Sequence, residues 1–422
     1  MNFNFLIYNF IFLTIISKFF LIYLLIKTFY FNLKNEKKLF FQRFKNVFVI
    51  FLPFIAFGLI SNIINKINFT AHIGFSLIVF YIFCAVSIAN YFSKNQLIFR
   101  KTLQMLFYIN IILIVDILVY KNFNYSLATL YANNSSVGVR YGSFFFDERV
   151  AGSFILYSLP LILLYLNKYC LPQDQYFKKN WIILALFLIS IIYLTGERRS
   201  FFLGCACLVF IPFFKITNLS VKNFFLILII FAFFCIGSFT TYILIKKNND
   251  QDINSLNNRM VVNTVNIAKS FTLLLNDREK YKLYIKENNI GNWAILYKDT
   301  FSLSIKKKQT IVTGIGYRQY QKECTKNNLV CSTHPHNMFL EIYISYGVFG
   351  LLLFIFLLYK VIKTLLKNNY KNNLETILFI FIFFFPLFPT GSILAFGLTF
   401  NLLIYSSLYL ANYYIEKSKI HE

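Results

Sequence analysis

The sequence predicts an all-α polytopic membrane protein, and three observations carry that prediction. Of the 422 residues, 58% are hydrophobic and only 14% are charged, against about 25% charged in an ordinary soluble domain. The apolar residues fall in unbroken runs of roughly 17 to 25, the length an α-helix needs to cross a hydrocarbon core about 30 Å thick. Alternate short loops between those runs are basic, the pattern that fixes orientation in helical membrane proteins. A soluble globular protein is excluded by this composition, whose mean hydropathy is +0.59. A transmembrane β-barrel is excluded as well, because its strands alternate in polarity and are not apolar throughout.

The elements follow in chain order. Residues 3–31 form one long span interrupted by Lys18 or two shorter segments, so the expected total is 11 or 12 spans. No short basic region followed by a small-residue cleavage site precedes them, so a cleavable signal peptide is not expected. The basic stretch Lys34–Lys45 is placed in the cytoplasm. Further spans are predicted at about 47–64, 70–92, 102–120, 148–168, 181–195, 200–216, 222–245, 337–359, 374–389 and 391–413. Loops assigned inside carry Lys94, Arg100 and Lys101; Lys168, Lys178 and Lys179; Lys215 and Lys222; and Lys360, Lys363, Lys367 and Lys371, with Lys417 and Lys419 in the tail. The formal net charge of +25 is therefore read as orientation charge and not as a nucleic-acid footprint. The whole chain, 1–422, is expected to be one polytopic domain in a bacterial inner membrane.

Three outward segments remain: 121–147, the tight turn near 195–200, and the stretch 246–336. The last is 91 residues long with 15 Lys/Arg and 7 Asp/Glu, far longer than a connection between spans requires, and loops of that length are usually functional. Its basic excess does not contradict the topology, since long translocated loops escape the positive-inside bias. Apolar patches at Phe271–Leu275 and Trp293–Tyr297 are expected to form helices at the membrane surface. Cys324 and Cys331 are the two cysteines of this loop, and a disulfide between them would brace it in an oxidising compartment. No internal or inverted repeat of the kind found in many secondary transporters is present.

Only four histidines occur: His72, His334, His336 and His421. Two stand where the long loop re-enters the membrane, in CSTHPHNMFLEIYISYGVFG. The string places His336 and Asn337 nine residues before Gly347-Val348-Phe349-Gly350. In this H-N-x9-G-x-x-G pattern the chain resembles the O-antigen ligase and polymerase superfamily of bacterial envelope glycosyltransferases. The turn Thr195-Gly196-Glu197-Arg198-Arg199-Ser200 is similar to that family's outward Gly-x-Arg turn. Thr313-Gly314-Ile315-Gly316-Tyr317-Arg318 resembles its Gly-x-Gly segment upstream of the histidine, and 143–153 (SFFFDERVAGS) resembles a stretch seen in one branch of these proteins. The resemblance covers most of residues 130–350.

The resemblance implies transfer of a glycan from an undecaprenyl diphosphate carrier to an acceptor hydroxyl, at the periplasmic face, without metal or cofactor. Such chemistry needs a base for the attacking hydroxyl and fixed positive charge for the departing diphosphate. His336 suits the first role, because imidazole titrates near neutral pH and a helix N-terminus favours its neutral form. Arg198 is the first choice for the second, with Arg199, Arg259 and Arg318 as further candidates, since a guanidinium donates two hydrogen bonds to phosphate oxygens. Asn337, His334 and Glu341 form a second tier. An H-x-H pair could ligate a metal, but no carboxylate cluster completes a site. Gly347 and Gly350, three residues apart on a predicted span, suit close packing of helices. Arg140 and Arg149 are assigned to the solvated surface or the lipid headgroups, and Asp147 and Glu148 to orienting roles. Asp116 and Lys18 are membrane-level charges with no motif around them.

Three activities share these motifs. A ligase transfers to lipid A–core, a polymerase to a second lipid-linked repeat, and a protein O-oligosaccharyltransferase to Ser or Thr. The ligase is preferred on the form of the histidine motif. A polysaccharide transporter or flippase, or a passive scaffold of an envelope assembly, would explain the spans but not a 91-residue loop that ends in that motif.

Overall fold

A computed structural model describes residues 18–123, 151–170, 175–195, 197–210, 280, 292–305, 308–327, 334–335, 337–367, 374–384 and 396–420. Among them the regular structure is helical, with no strand. The helices are α1 (Lys18–Asn35), α2 (Lys37–Ile64), α3 (Phe69–Lys94), α4 (Gln96–Phe123), α5 (Ala151–Tyr165), α6 (Gln175–Leu194), α7 (Arg198–Phe210), α8 (Asn292–Ile305), α9 (Lys308–Thr313), α10 (Tyr320–Lys326), α11 (Met338–Lys367), α12 (Leu374–Phe384) and α13 (Phe396–Ile420). A single π-helical turn, Leu166–Cys170, follows α5.

Five stretches of these helices are long and apolar enough to cross a membrane: Lys37–Ile64, Gly74–Lys94, Gln96–Tyr120, Ala151–Cys170 and Met338–Lys363. Their outer faces carry large apolar side chains, among them Val49, Leu52 and Ile60 on α2 and Phe349, Leu352 and Ile355 on α11. Helices apolar all round belong in lipid, where each backbone group is satisfied within its own helix. The chain is an all-α, multi-pass membrane protein. The spans expected at 181–195, 200–216, 374–389 and 391–413 are helical over their described residues; 222–245 lies outside them, as do residues 1–17.

The basic stretch Lys34–Lys45 is not an extended loop. Apart from a break at Glu36 it is the end of α1 and the first turns of α2. Lys, Leu, Gln and Arg are good helix formers, and nothing in KNEKKLFFQRFK breaks a helix.

The chain divides into two compact units. The first takes in Met1–Met105, Asn292–Lys371 and Phe383–Glu422. Its core joins α2, α3 and α11 through Phe54, Phe75, Ile342, Tyr346, Phe354 and Leu357. At one end a polar ladder ties four helices. Arg43 donates to Asn90 Oδ1 at 2.5 Å and Ser93 Oγ at 2.7 Å. Asn90 donates to Asn32 Oδ1 at 2.8 Å, and the Arg43 guanidinium lies 4.0 Å from the Tyr414 ring centroid. Lys94 pairs with Glu36 at 3.1 Å beside them. Interhelical polar contacts of this kind hold helices where lipid supplies no hydrophobic drive.

At the other end, α2 finishes in two capping bonds. The N–H groups of Lys66 and Ile67 donate to the carbonyls of Ile63 and Asn62, both at 3.0 Å, with Lys66 in the left-handed region at φ 50°. This is a Schellman ending with a lysine where glycine is usual. The start of α11 lies at this end, opposite the lysines that close the helix, Lys360, Lys363 and Lys367.

The second unit comprises Leu106–Gly291 and Asn372–Ile382. Helix α5 is its centre: every residue of it except Ser153 is buried. Ser158 Oγ bonds Asn110 Oδ1 on α4 at 2.8 Å, and Asn167 bonds Glu375 on α12. Helices α6 and α7 pack on each other and on α5.

Candidate active site

The two glycine motifs of the sequence form one contact in the first unit. Inside α11, Gly347 takes φ 67°, ψ −166° and kinks the helix, a region of backbone space open essentially to glycine alone. The two carbonyls that precede the kink serve the loop. Ile315 N–H donates to Ile344 O and Gly316 N–H to Ser345 O, both at 2.9 Å. The backbones meet so closely that a Cβ on Gly314 (φ 73°) would lie 2.3 Å from the Ser345 carbonyl carbon, and one on Gly347 would lie 2.3 Å from the Val312 oxygen. Close helix packing was the expected use of Gly347, and the backbone it meets is that of Ile311 and Val312 in the short helix α9; the loop that follows α9 is seated on α11 by the same approach. Gly350 lies tight against its own helix, where a Cβ would fall 2.2 Å from Tyr346 Cβ and 3.6 Å from the Phe57 ring of α2.

The end of α2 holds the same loop from the other side. Ser61 Oγ donates to Thr313 O at 2.5 Å, and Tyr317 N–H donates to Asn62 Oδ1 at 3.0 Å. Tyr317 is thereby driven into the core, edge-on to Phe75 at 6.0 Å between centroids, while Phe75 packs on Tyr346 at 5.3 Å. Burying one residue turns the next outward. Arg318 is exposed at φ 55°, with its guanidinium 5.2 Å from the Tyr317 ring centroid. Tyr81 on α3 interacts with it electrostatically. Burial pushes the Tyr317 phenol pKa up; the Arg318 charge opposes that shift and the Glu341 carboxylate adds to it. Arg318 and Glu341 thus act on one buried phenol, and Glu341 itself is buried one turn into α11.

Asn337 is the cap of α11: its Oδ1 accepts the N–H of Leu340 at 3.0 Å, and its carbonyl accepts that of Glu341 at 2.8 Å. An Asn cap supplies an acceptor for an otherwise unpaired donor at the helix start. His336, directly before it in sequence, lies outside the described residues; His334 is half-buried. Cys324 is buried in a small core with Leu303, Tyr320 and Ile344 and is disulfide-bonded, while Cys331 lies outside the described residues. So do Arg259, Arg140, Arg149, Asp147, Glu148, Phe271–Leu275 and most of 246–336. Trp293–Tyr297 falls within α8.

In the second unit, Arg198 and Arg199 are not in a turn but are the first two residues of α7. The residue before them organises the corner. The buried Glu197 carboxylate accepts from Gly152 N–H at 2.7 Å, Ser153 N–H at 2.9 Å, Ser153 Oγ at 2.5 Å and Ser200 Oγ at 3.0 Å. One side chain therefore ties the first turns of α5 and α7 together. Burial pushes its carboxyl pKa up, against the pull of those hydrogen bonds. The sequence reading passed over Glu197, Tyr317 and Lys66. The first was signalled as an acid at a hairpin tip between apolar runs; the other two carry no local signal. Among the described residues no group of three or more His, Cys, Asp or Glu is placed to hold a metal.

Long apolar helices and a rigidly seated arginine at the helix ends opposite their lysines define the chain as a multi-pass membrane protein with a basic site at one end of its first unit. Residues 183–355 match the family model for O-antigen ligase. That stretch, 173 of the 422 residues, is similar to the O-antigen ligase family, whose pattern the histidine and glycine motifs resemble. All the arginines, histidines and glycines proposed for the site fall inside the matched segment. No curated protein matches the chain.

Proposed function

We propose that the protein transfers a glycan from undecaprenyl diphosphate to a hydroxyl of lipid A–core at the periplasmic face of the inner membrane. The observation that carries this reading is Arg318, held in a left-handed backbone conformation on the loop seated against the helix that His336 and Asn337 introduce. The acceptor oxygen attacks the anomeric carbon as the bond from that carbon to the diphosphate oxygen breaks, with inversion. The bonding pair leaves on the diphosphate. His336 takes the hydroxyl proton; it directly precedes the asparagine cap in sequence, and a helix N-terminus favours neutral imidazole. Diphosphate is already a good leaving group, so guanidinium charge from Arg318 serves without a metal, and Arg198, Arg199 and Arg259 are the further candidates for that charge.

The test is the surface glycolipid profile and the lipid-linked pool of a deletion strain complemented with wild type, His336→Ala or Arg318→Ala. Bare core with long glycan accumulating on the carrier in the deletion strain and with both variants, and transfer restored by wild type, supports the ligase. Single repeats on the core and no long carrier-linked chains assign the same site to a polymerase. Full complementation by both variants overturns the proposed chemistry.

A further inference from the structure

Beside the Arg318 loop the first unit holds a polar cavity of about 490 Å³, within the roughly 300–1,000 Å³ range of small-molecule sites. Lys66, Lys322 and Lys326 line it with Glu323, so its charge is net positive; amides of Asn65, Asn68, Gln319 and Asn327 and the hydroxyl of Thr310 complete the polar part of the wall. Glu323 forms no ion pair with any of the three ammonium groups.

The wall shares its backbone with the candidate active site. Ile315 and Gln319 line the cavity, while Tyr317 between them turns into the core and Arg318 is exposed. The opposite wall is the capped end of α2, where Lys66 stands at φ 50°. Among the described residues Lys66 and Arg318 are the two non-glycine residues in left-handed backbone. Such conformations persist where the surroundings over-determine them, as at ligand-binding positions. Here the Schellman bonds fix one, and the Asn62 and α11 contacts fix the other.

We propose that this cavity is a subsite for an acidic sugar, one bearing a carboxylate or phosphate, of the glycan handled at the Arg318 loop; the inference rests on the function proposed above. The chemistry of the wall makes the choice. Ammonium groups alone would suit any anion, but four amides and a hydroxyl share the wall with them; Asn65, Gln319 and Asn327 donate inward to the carbonyls of Ser61, Tyr317 and Glu323, and amide oxygens are the acceptors that sugar hydroxyls require. The acidic sugar belongs either to the donor glycan or to the acceptor.

The test uses the full-length protein in nanodiscs and two probes, a tri-galacturonic acid and the neutral trigalactose, with binding read by saturation-transfer NMR. Wild type is expected to prefer the acidic trisaccharide. The triple variant Lys66→Gln/Lys322→Gln/Lys326→Gln, which alters exposed side chains only, is expected to lose roughly tenfold in affinity, as three exposed charge pairs would supply, and the preference should fade with salt. No preference in wild type, or an unchanged one in the triple variant, overturns the subsite. Loss of affinity for anionic-lipid nanodiscs with trisaccharide binding intact also overturns it, in favour of a headgroup contact. In transfer assays the triple variant raises KM for the donor if the acidic sugar is the donor's, and for the acceptor if it is the acceptor's; both values unchanged overturn the proposal. A wild-type protein that binds the acidic probe but transfers no glycan refutes the proposed function and leaves the binding site standing.

Discussion

Substituting Gly347 by Ala tests the join between loop and helix. At φ 67°, ψ −166° an alanine pays about 1–3 kcal/mol in backbone strain. Its Cβ would also sit 2.3 Å from Val312 O and 2.7 Å from Ile311 O. These are backbone atoms of α9, so α9 and the loop that follows it must retreat by roughly an ångström to reach van der Waals contact. A retreat of that size breaks the bonds from Ile315 and Gly316 to Ile344 and Ser345, at about 1 kcal/mol each. The sum, about 3–5 kcal/mol, falls on the contact of α9 and its following loop with α11; of the core that joins α2, α3 and α11 only Tyr317 lies on that loop. The variant should therefore insert and purify normally while Arg318 loses its position. A misplacement of that size costs on the order of a hundredfold in rate. The assay is glycan transfer per mole of protein, with elution on size exclusion as the folding check and Val348→Ala, an exposed neighbour, as control. Wild-type turnover in Gly347→Ala would refute the argument that the kink seats the site.

Three further outcomes follow from the same geometry. Glu197→Ala strands two N–H groups and two hydroxyls of a buried corner and should cost about 3–5 kcal/mol. Glu197→Gln keeps an acceptor and should cost less; equal thermal midpoints for Glu197→Ala and wild type would remove the bracing role. Asn337→Ala should lower stability of the helix start by about 1 kcal/mol and turnover a few-fold, with Asn337→Ser or Asn337→Asp restoring both; failure of both to rescue would mean that Asn337 acts on substrate and not as a cap. Arg43→Ala removes two hydrogen bonds and the Tyr414 contact and should cost about 2–4 kcal/mol. It is far from the site, so the thermal midpoint in detergent should drop while activity per folded molecule stays level; a parallel loss of activity would contradict that separation.

The sequence made the helical membrane class plain, because apolar runs and basic loops are local signals. It also pointed to Arg318 and to both glycine motifs, because their spacing is a pattern along the chain. What it did not show is that Gly314 and Gly347 touch. That contact joins residues separated by a disulfide-bearing helix and a re-entry into the membrane, and no periodicity records it. Asn337 carried a readable signal, an Asn ahead of an apolar run, yet its place beside a histidine drew attention to substrate and away from capping. Tyr317 looked like one of many aromatics until packing against Phe75 and Tyr346 set it apart. Glu197 was legible as an acid among apolar residues, but its four donors come from two helices and appear only once they are folded together.

The seating of the Gly314–Arg318 loop bears on how such proteins can be recombined. The loop takes bonds from the end of α2, through Ser61 and Asn62, and from the kinked part of α11. A chimaera that takes residues 308–350 from one protein and the first half from another would mismatch Asn62 with the incoming backbone, even with every histidine, arginine and glycine present. Exchange of specificity between proteins that share these motifs is therefore expected to succeed when residues 61–68 travel with 308–350, and to yield inserted but silent protein when either block travels alone.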